Sequence, residues 1–466
     1  MSAPGALSGA PSGALSTALR LGGLFGPVVF GVTAAAVALP RVAAALHATP
    51  AQVAWVLTAH ALALGVGTAV LGRLTDSLGA RVTLTVASAA LVGGAVVCAT
   101  APTLAVLVVG RLVLAAGSGG MAAVAVALLA GVDPAVRPRV LAGYGTLMAV
   151  FAAAATLVGG VVTTWMSWRV AMVLPVLSIL AVPFCLPLAV RSGSRRSIDV
   201  TGAVLLTVTV SGLLVLIQSG TLGLAVPVVV ALAVAFVLAA GGSAWRMVRR
   251  PGGFVPRQVV GDVPWLLAAA VGAGVFGGLF AVMYVVPQIL AGTHGWSVLA
   301  VGVALLPGAA LGAVLSRRVG PLAVRHGYLV LAVTALVSAI ALAGAATGGG
   351  GAWPPVVAAS LCLAAFAVTQ VVVTGDVSAR LSPPLRGAGM GLLNLAFFVG
   401  GGIGSAVAGT LAQTTGLSGA LAVVALFPLA AAALAVVVRS SPNFPGKPDF
   451  SAKKVGYEGV RRDLRI

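Results

Sequence analysis

The chain has little charge. Only 8% of its 466 residues are Asp, Glu, Lys or Arg, against about 25% in a soluble domain, so a water-soluble fold would have nothing with which to cover its surface. Acids are the scarcest, with eight Asp and Glu against 27 Lys and Arg. The three cysteines, Cys98, Cys185 and Cys362, lie inside apolar runs at no metal-ligand spacing. They read as small core residues, and neither a disulfide framework nor a metal centre is expected. No Ser/His/Asp set and no cluster of His and Cys is present, so an enzyme has no support in the sequence. A glycine-rich phosphate loop of the GxxxxGKS/T type is also missing, which removes the cradle an ATP-driven pump needs. No cofactor is expected.

Apolar residues fill the space that charge leaves. They make up 60% of the chain, and the mean hydropathy is +1.14. Sixty-two glycines, with alanine in every apolar stretch, suit helices packed closely through small residues in a bilayer. A span needs about 20 apolar residues. Stretches of that length fall near 20–40, 52–71, 82–100, 103–130, 139–162, 168–190, 200–219, 222–246, 263–291, 297–316, 327–347, 353–375, 386–412 and 417–438. The fold class expected is an all-α integral membrane protein with fourteen spans.

The net charge of +19 would suggest nucleic acid in a soluble domain, but here the basic residues cluster at span ends. Arg73 and Arg81, Arg137 and Arg139, Arg191, Arg195 and Arg196, Arg246 to Arg257, Arg317 to Arg325, Arg380 and Arg386, and the basic tail all fall on one side. The other side holds Arg41 and Arg169. This is the positive-inside pattern, which sets orientation and puts both termini in the cytoplasm. The partners expected are therefore the lipid bilayer and a small molecule, with no nucleic acid. Residues 1–18 lack a basic segment ahead of an apolar core, so no cleaved signal peptide is expected. Residues 439–466 read as a basic cytoplasmic tail whose lysines and arginines can meet anionic headgroups. The Ala/Gly/Val/Arg bias points to a bacterial, GC-rich source and hence to the plasma (inner) membrane.

Between the second and third spans lies a short charged, glycine-bearing turn, Gly72-Arg73-Leu74-Thr75-Asp76-Ser77-Leu78-Gly79-Ala80-Arg81. Its glycine and leucine spacing returns after the second span of the later half, in Gly320-Pro321-Leu322-Ala323-Val324-Arg325-His326-Gly327. A second echo pairs the helix that Arg139 opens, ending Gly159-Gly160, with the helix that Arg386 opens, carrying Gly400-Gly401-Gly402. Two six-helix halves related in this way are a common build of secondary transporters, with the binding site at their interface near the midplane. The division expected is a flexible N-terminus over 1–19, bundles over 20–190 and 263–438, two inserted helices within 191–262, and the tail.

The G-x-L-x-D-x-x-G-x-R spacing resembles the signature loop of the major facilitator superfamily. Over residues 20–440 the chain is similar to that family's fourteen-helix drug:H⁺ antiporter branch, on Val37-Ala38-Leu39-Pro40, Trp55, Gly110-Arg111, Trp168-Arg169, Asp199-x-x-Gly202, Tyr284 to Gln288 and Gly389-x-Gly391-Leu392-Leu393-Asn394. The resemblance implies two pseudo-symmetric six-helix bundles with two extra helices between them. It also implies proton-coupled export of an apolar or amphipathic drug, antibiotic or metabolite by alternating access, from a protein that works as a monomer. Three departures bear on the coupling. Gly31 stands where the family typically has a helix 1 acid, Leu114-Ala115 replaces Gln-Gly, and the helix 5 signature keeps only Gly159 and Gly160.

Candidate residues follow. Gly72, Arg73, Asp76, Gly79 and Arg81 are expected to form a gating charge relay, with topology-fixing charges as the alternative reading. Arg111, inside the fourth span, matches the family arginine of proton transfer, or else snorkels to the outer edge. His60 is either a titratable group or a polar residue hydrogen-bonded to a neighbouring helix. Asp376 is the nearest carboxylate of the second half. Thr33, Met148, Gln288 and Asn394 are candidates to line the cavity, although interhelical hydrogen bonds also explain such polar residues. Phe276, Phe280 and Tyr284 are expected to pack toward lipid, with an adaptable apolar lining of the cavity as the alternative reading. Two other functions stay open: a facilitator without proton coupling, and a transport-dead membrane sensor or scaffold.

Overall fold

A computed structural model describes residues 11–133, 135–189, 193–194, 197–319, 323–349 and 351–440. Among these it holds fourteen helical spans, each long and apolar enough to cross a bilayer. They are α1 (Gly13–Ala45), α2 (Pro50–Leu78), α3 (Ala80–Thr100), α4 (Leu104–Ala130), α5 (Arg139–Trp165), α6 (Trp168–Leu188) and α7 (Val200–Ile217). The others are α8 (Val226–Arg249), α9 (Val263–Gly292), α10 (Val298–Val319), α11 (His326–Ala346), α12 (Trp353–Arg380), α13 (Leu385–Thr414) and α14 (Gly416–Ser440). Spans α1–α6 and α9–α14 form two six-helix bundles, joined by α7 and α8. Gly320, Pro321 and Leu322 of the loop echo, Arg191, Arg195 and Arg196, and most of both terminal segments lie outside the described residues.

Sequence places the caps. Thr49 opens α2 with a reciprocal box, accepting from the Gln52 amide while the Gln52 side chain accepts from its own N–H. Asp262 accepts from the Trp265 amide at the start of α9.

Three spans are not continuous α-helix: α14 is interrupted at Ala425, and two others hold 3₁₀ segments. In α1 the residues Gly26–Gly31 tighten into a 3₁₀ turn that holds Pro27. In α6 a longer 3₁₀ stretch, Leu174–Ala181, follows Trp168–Val173 and holds Pro175. Proline removes a backbone donor and crowds the preceding turn. Such segments are tolerated at membrane depth where protein surrounds them. These two lie against each other in the first bundle.

The bundles meet along two seams, α2 with α13 and α5 with α10. Toward the face opposite the basic loops, one core crosses both bundles and joins Val37, Leu39 and Leu57 to Val285, Leu290 and Leu305. There Tyr284 Oη donates to the carbonyl of Pro50 at 2.6 Å. Toward the basic face lie two further cores, the second of which also takes in Val32, Ala61 and Ala69 of the first bundle. Leu84, Leu91, Met121 and Val124 build one, and Trp265, Leu331, Val372 and Val377 build the other. Phe276, Phe280 and Tyr284 are fully buried in the interior, not packed toward lipid as expected. Phe276 stacks within 4.8–5.4 Å of Phe366, Phe397 and Phe398, because α12 and α13 cover this face of α9.

Candidate functional site: a charged hinge and a buried polar centre

The Gly72–Arg81 segment is less of a turn than its composition suggests. Helix α2 runs through it to Leu78, and α3 starts at Ala80. Gly79 alone breaks the path, with φ of 91°, a conformation that a side chain would strain. Gly72 lies inside α2, and the nearest atom to a Cβ built there is 3.7 Å away.

The charges on this segment point in different directions. Arg73 Nη2 donates to the carbonyls of Gly253 and Phe254, each at 2.9 Å. Asp76 lies beside the first turn of α13, and a Cβ on Gly387 would stand 2.8 Å from its Oδ2. A carboxylate at a helix N-terminus is favoured by the helix dipole. The Asp76 carbonyl accepts from Ser194 N at 2.8 Å and from Ser194 Oγ at 3.0 Å. Arg81 stays at the surface. Among the described residues the ion pairs are Arg246–Asp199 and Arg380–Asp376, so Asp76 is not paired with either loop arginine in this conformation.

Asp199 organises the joint between the inserted helices and the bundles. It caps α7 by accepting from the Gly202 amide at 3.0 Å, and it accepts from Phe254 N at 3.0 Å and Arg246 Nε at 2.7 Å. Burial pushes its carboxyl upward. The Arg246 bond, the two amides and the Arg246 charge outweigh that and hold it at about 2. Arg73 binds the same Gly253-Phe254 strip, so one loop ties α7 and α8 to α2.

Deeper in the first bundle is a second centre. Arg111 of α4 is fully buried and does not reach back to the membrane edge. Its Nη1 donates to the carbonyl of Met172 at 3.0 Å, and its Nη2 donates to the carbonyl of Gly31. One guanidinium thus closes the broken ends of both α1 and α6, where the 3₁₀ segments leave carbonyls short of partners. His60 of α2 is equally buried. A Cβ on Gly31 would overlap its Nε2 and Cε1, and Pro175 lies beside the same position. Neither nitrogen of the His60 ring has a hydrogen-bond partner, so the interhelical bond open to it in the sequence is not made. Arg111 Nε, Ser178 Oγ and Thr156 Oγ1 are likewise buried without partners.

The remaining candidates divide. Thr33 bonds back to Val29 of the 3₁₀ turn at 3.2 Å. Gln288 Nε2 is buried and unpartnered, while Met148 and Asn394 are half-buried. Asp376 accepts from Tyr328 Oη at 2.9 Å and Arg380 Nε at 2.8 Å, near the basic end of α12 and apart from His60. The two glycines of α5 have separate uses. A Cβ on Gly159 would meet Cα of Ala34 in α1 at 2.6 Å, and one on Gly160 would meet the carbonyl of Val298 in α10 at 3.1 Å.

The family model described as Major Facilitator Superfamily matches residues 21–374, which takes in the first bundle and the second as far as α12. The chain belongs to this superfamily. As a member it is a multi-pass membrane protein among transporters, not enzymes. It is similar to "Uncharacterized MFS-type transporter EfpA" of Mycobacterium tuberculosis, 31% identical over 197 residues. That match takes in 41% of this chain and 37% of the relative's length. It is 27% identical over 398 residues to the "Tetracenomycin C resistance and export protein" of Streptomyces glaucescens, covering 81% of this chain and 72% of that one. "MFS-type efflux pump MMF1" of Pseudozyma antarctica is 29% identical over 199 residues, 41% of this chain and 36% of the pump.

In this superfamily member, polar residues tie the end of the inserted helix α7 to both bundles, and one pair joins the bundles directly. Gln218 Nε2 donates to Thr58 Oγ1 at 2.7 Å, and the Thr58 and Ser405 hydroxyls share a bond at 2.8 Å. Trp55 Nε1 donates to Thr221 Oγ1 at 3.2 Å, and Thr410 Oγ1 to the carbonyl of Ile217 at 3.1 Å. Isolated Ser and Thr in apolar runs give little warning of such pairings. The Gly26-Pro27 step and Pro175 were visible as signals for the two breaks.

Proposed function

We propose that the chain is a secondary active exporter of an apolar or amphipathic small molecule, driven by the proton gradient. The halves 20–190 and 263–438 would rock against each other by alternating access. One observation carries this reading: the bundles meet along the α2–α13 and α5–α10 seams, with one core crossing both at the face opposite the basic loops and a second joining Ala61 and Ala69 of α2 to the later bundle. Two bundles that touch along seams of this kind can rock against each other. The relative named for tetracenomycin C resistance and export supports the outward direction. With the basic face in the cytoplasm, the protein would sit in the plasma membrane with both termini inside and act as a monomer.

In this reading the Gly72–Arg81 segment is the gate. Asp76 against α13 and Arg73 against the Gly253-Phe254 strip hold the basic end in one of its two arrangements. Efflux from a pump-deficient host, measured across a compound panel with and without an uncoupler, tests the proposal. Uncoupler-sensitive efflux of at least one compound is the expected result, and its absence across the panel would count against an energised exporter.

A second reading has its own observation. The described carboxylates, Asp76, Asp133, Asp199, Asp262 and Asp376, all lie at or beyond span ends, which suits a facilitator without proton coupling. Counterflow that is indifferent to pH would favour it.

A further inference from the structure

The polar centre around Arg111 bears on how the exporter would be driven, and the inference here rests on that exporter reading. Carboxylates usually carry protons through such proteins, yet among the described residues none enters this centre. His60 does. It stands ten residues inside α2 from Pro50, about 15 Å along the helix at 1.5 Å per residue. It is fully buried, and both ring nitrogens lack partners. An unpartnered imidazole at this depth is costly, because nothing offsets its lost hydration. Local packing does not require it, since a Leu or Phe would fill the same space without the polar atoms.

Position 31 explains how the ring fits. The space a side chain on Gly31 would take is occupied by His60 Nε2 and Cε1. Any larger residue at 31 and the imidazole at 60 exclude each other, so the pair supplies one ionisable group to this spot and no more. Arg111 meets the same residue from the other side, through the Gly31 carbonyl. We infer that His60 is the proton-carrying group of this transporter, reporting its charge to the α1 and α6 breaks through Arg111.

The chemistry balances simply. A proton from water at one face adds to the free lone pair of the imidazole, giving imidazolium, and the same proton leaves to water at the other face. No other bond changes order. The loaded ring puts a second positive charge beside Arg111, and like charges repel. Loading therefore favours withdrawal of Arg111 from the Gly31 and Met172 carbonyls, which loosens both 3₁₀ segments together. Around the ring, α4 contributes Arg111, while the Cys98 thiol of α3 is buried against Leu107 and Gly110 of α4. α1 contributes Gly31, α6 contributes Pro175, and on the α13 side Ser405 bonds Thr58 of the same helix, none of them ionisable. The other ionisable groups of these helices lie toward their ends: Arg20 and Arg41, Arg73 and Asp76, Arg81, Arg139 and Tyr144, Arg169 and Cys185, and Arg386.

The test reads the proton directly. His47, His294 and His326 are exposed, so His47→Asn, His294→Gln and His326→Gln leave His60 as the one imidazole, with Asn chosen at 47 for its φ of 50°. In the full chain, labelled with ¹⁵N-histidine in lipid nanodiscs, the His60 ring signals should shift as the pH is scanned from about 9 down to about 4. A ring that keeps one protonation state over that range overturns the inference, whatever the transport result. For transport, the probe is a panel compound with uncoupler-sensitive efflux by the wild type. His60→Gln should lower that efflux at least about tenfold, Gly31→Asp alone should be equally poor, and Gly31→Asp with His60→Ala should recover it to within about fivefold. The rescue separates a proton carrier from a packing residue, since a packing loss is not repaired by a carboxylate. Full uncoupler-sensitive efflux in His60→Gln would sink the inference and leave the exporter reading standing. A wild type without such efflux would sink the exporter reading, while the ring titration still decides whether His60 takes up a proton.

Discussion

The hydroxyls of Thr58 and Ser405 meet at 2.8 Å across the α2–α13 seam, 347 residues apart in the chain. Thr58 Oγ1 accepts a hydrogen bond from Gln218 Nε2 and pairs with Ser405 Oγ, which in turn donates to the Gly402 carbonyl at 3.1 Å. The inserted helix α7 therefore sits on the line where the bundles must part. This chain of bonds lies toward the face opposite the basic loops, where opening to the outside would have to break it.

Locking this contact should stop transport. Thr58→Cys with Ser405→Cys places two thiols at a separation suited to a disulfide. Oxidation is expected to abolish efflux and reductant to restore it, with either single cysteine variant unaffected by oxidant. Transport that continues in the fully cross-linked protein would mean that this seam does not open.

The α5–α10 seam should be sensitive to a single methyl group, and unequally so. A Cβ on Gly302 would stand 2.6 Å from the Thr156 carbonyl, whereas one on Gly160 would meet Val298 O at 3.1 Å. Backbone cannot yield as a side chain does, and overpacking costs about 1–3 kcal/mol. Gly302→Ala is expected to lower both efflux and thermal stability more than Gly160→Ala, as read by transport and melting of the purified variants.

Asp199 gives a pH signature outside the membrane. Its folded carboxyl is held down at about 2, below the ~3.9 of an unfolded aspartate. A depressed carboxyl contributes stability that is fully present above the unfolded value and is lost as pH falls through the folded one. The melting difference between wild type and Asp199→Asn should therefore be flat from pH 7 to about pH 5 and shrink between about pH 4 and 2. A gap that does not change with acid would contradict the charged cap.

Arg73 should matter for the loop as well as for the gate. Arg73→Ala removes both bonds to Gly253 and Phe254 at about 1–3 kcal/mol for donors of this kind. Hydrogen exchange is expected to speed up across 250–256 while the amides of α2 stay protected. Unchanged exchange in that loop would show that Asp199 alone holds it.

The sequence by itself determined the number of spans, their order and the paired halves, because the length of an apolar run is set by the thickness of a bilayer. The signature loop was legible for a related reason, since charge in so apolar a chain can lie only where water or a partner receives it. Even there the helical path through Asp76 was hidden, because only Gly79 takes the backbone out of α2. Tertiary structure alone decided which groups meet. Gly31 read as a missing acid until His60 was found in the space it leaves, and Arg111 read as one costly charge until two broken helices supplied its carbonyls. Thr58 and Ser405 carried no signal, since a hydroxyl in an apolar helix looks the same whether it bonds its own backbone or another bundle. Hydropathy is a property of each segment, whereas these contacts depend on how helices cross, which no local stretch encodes.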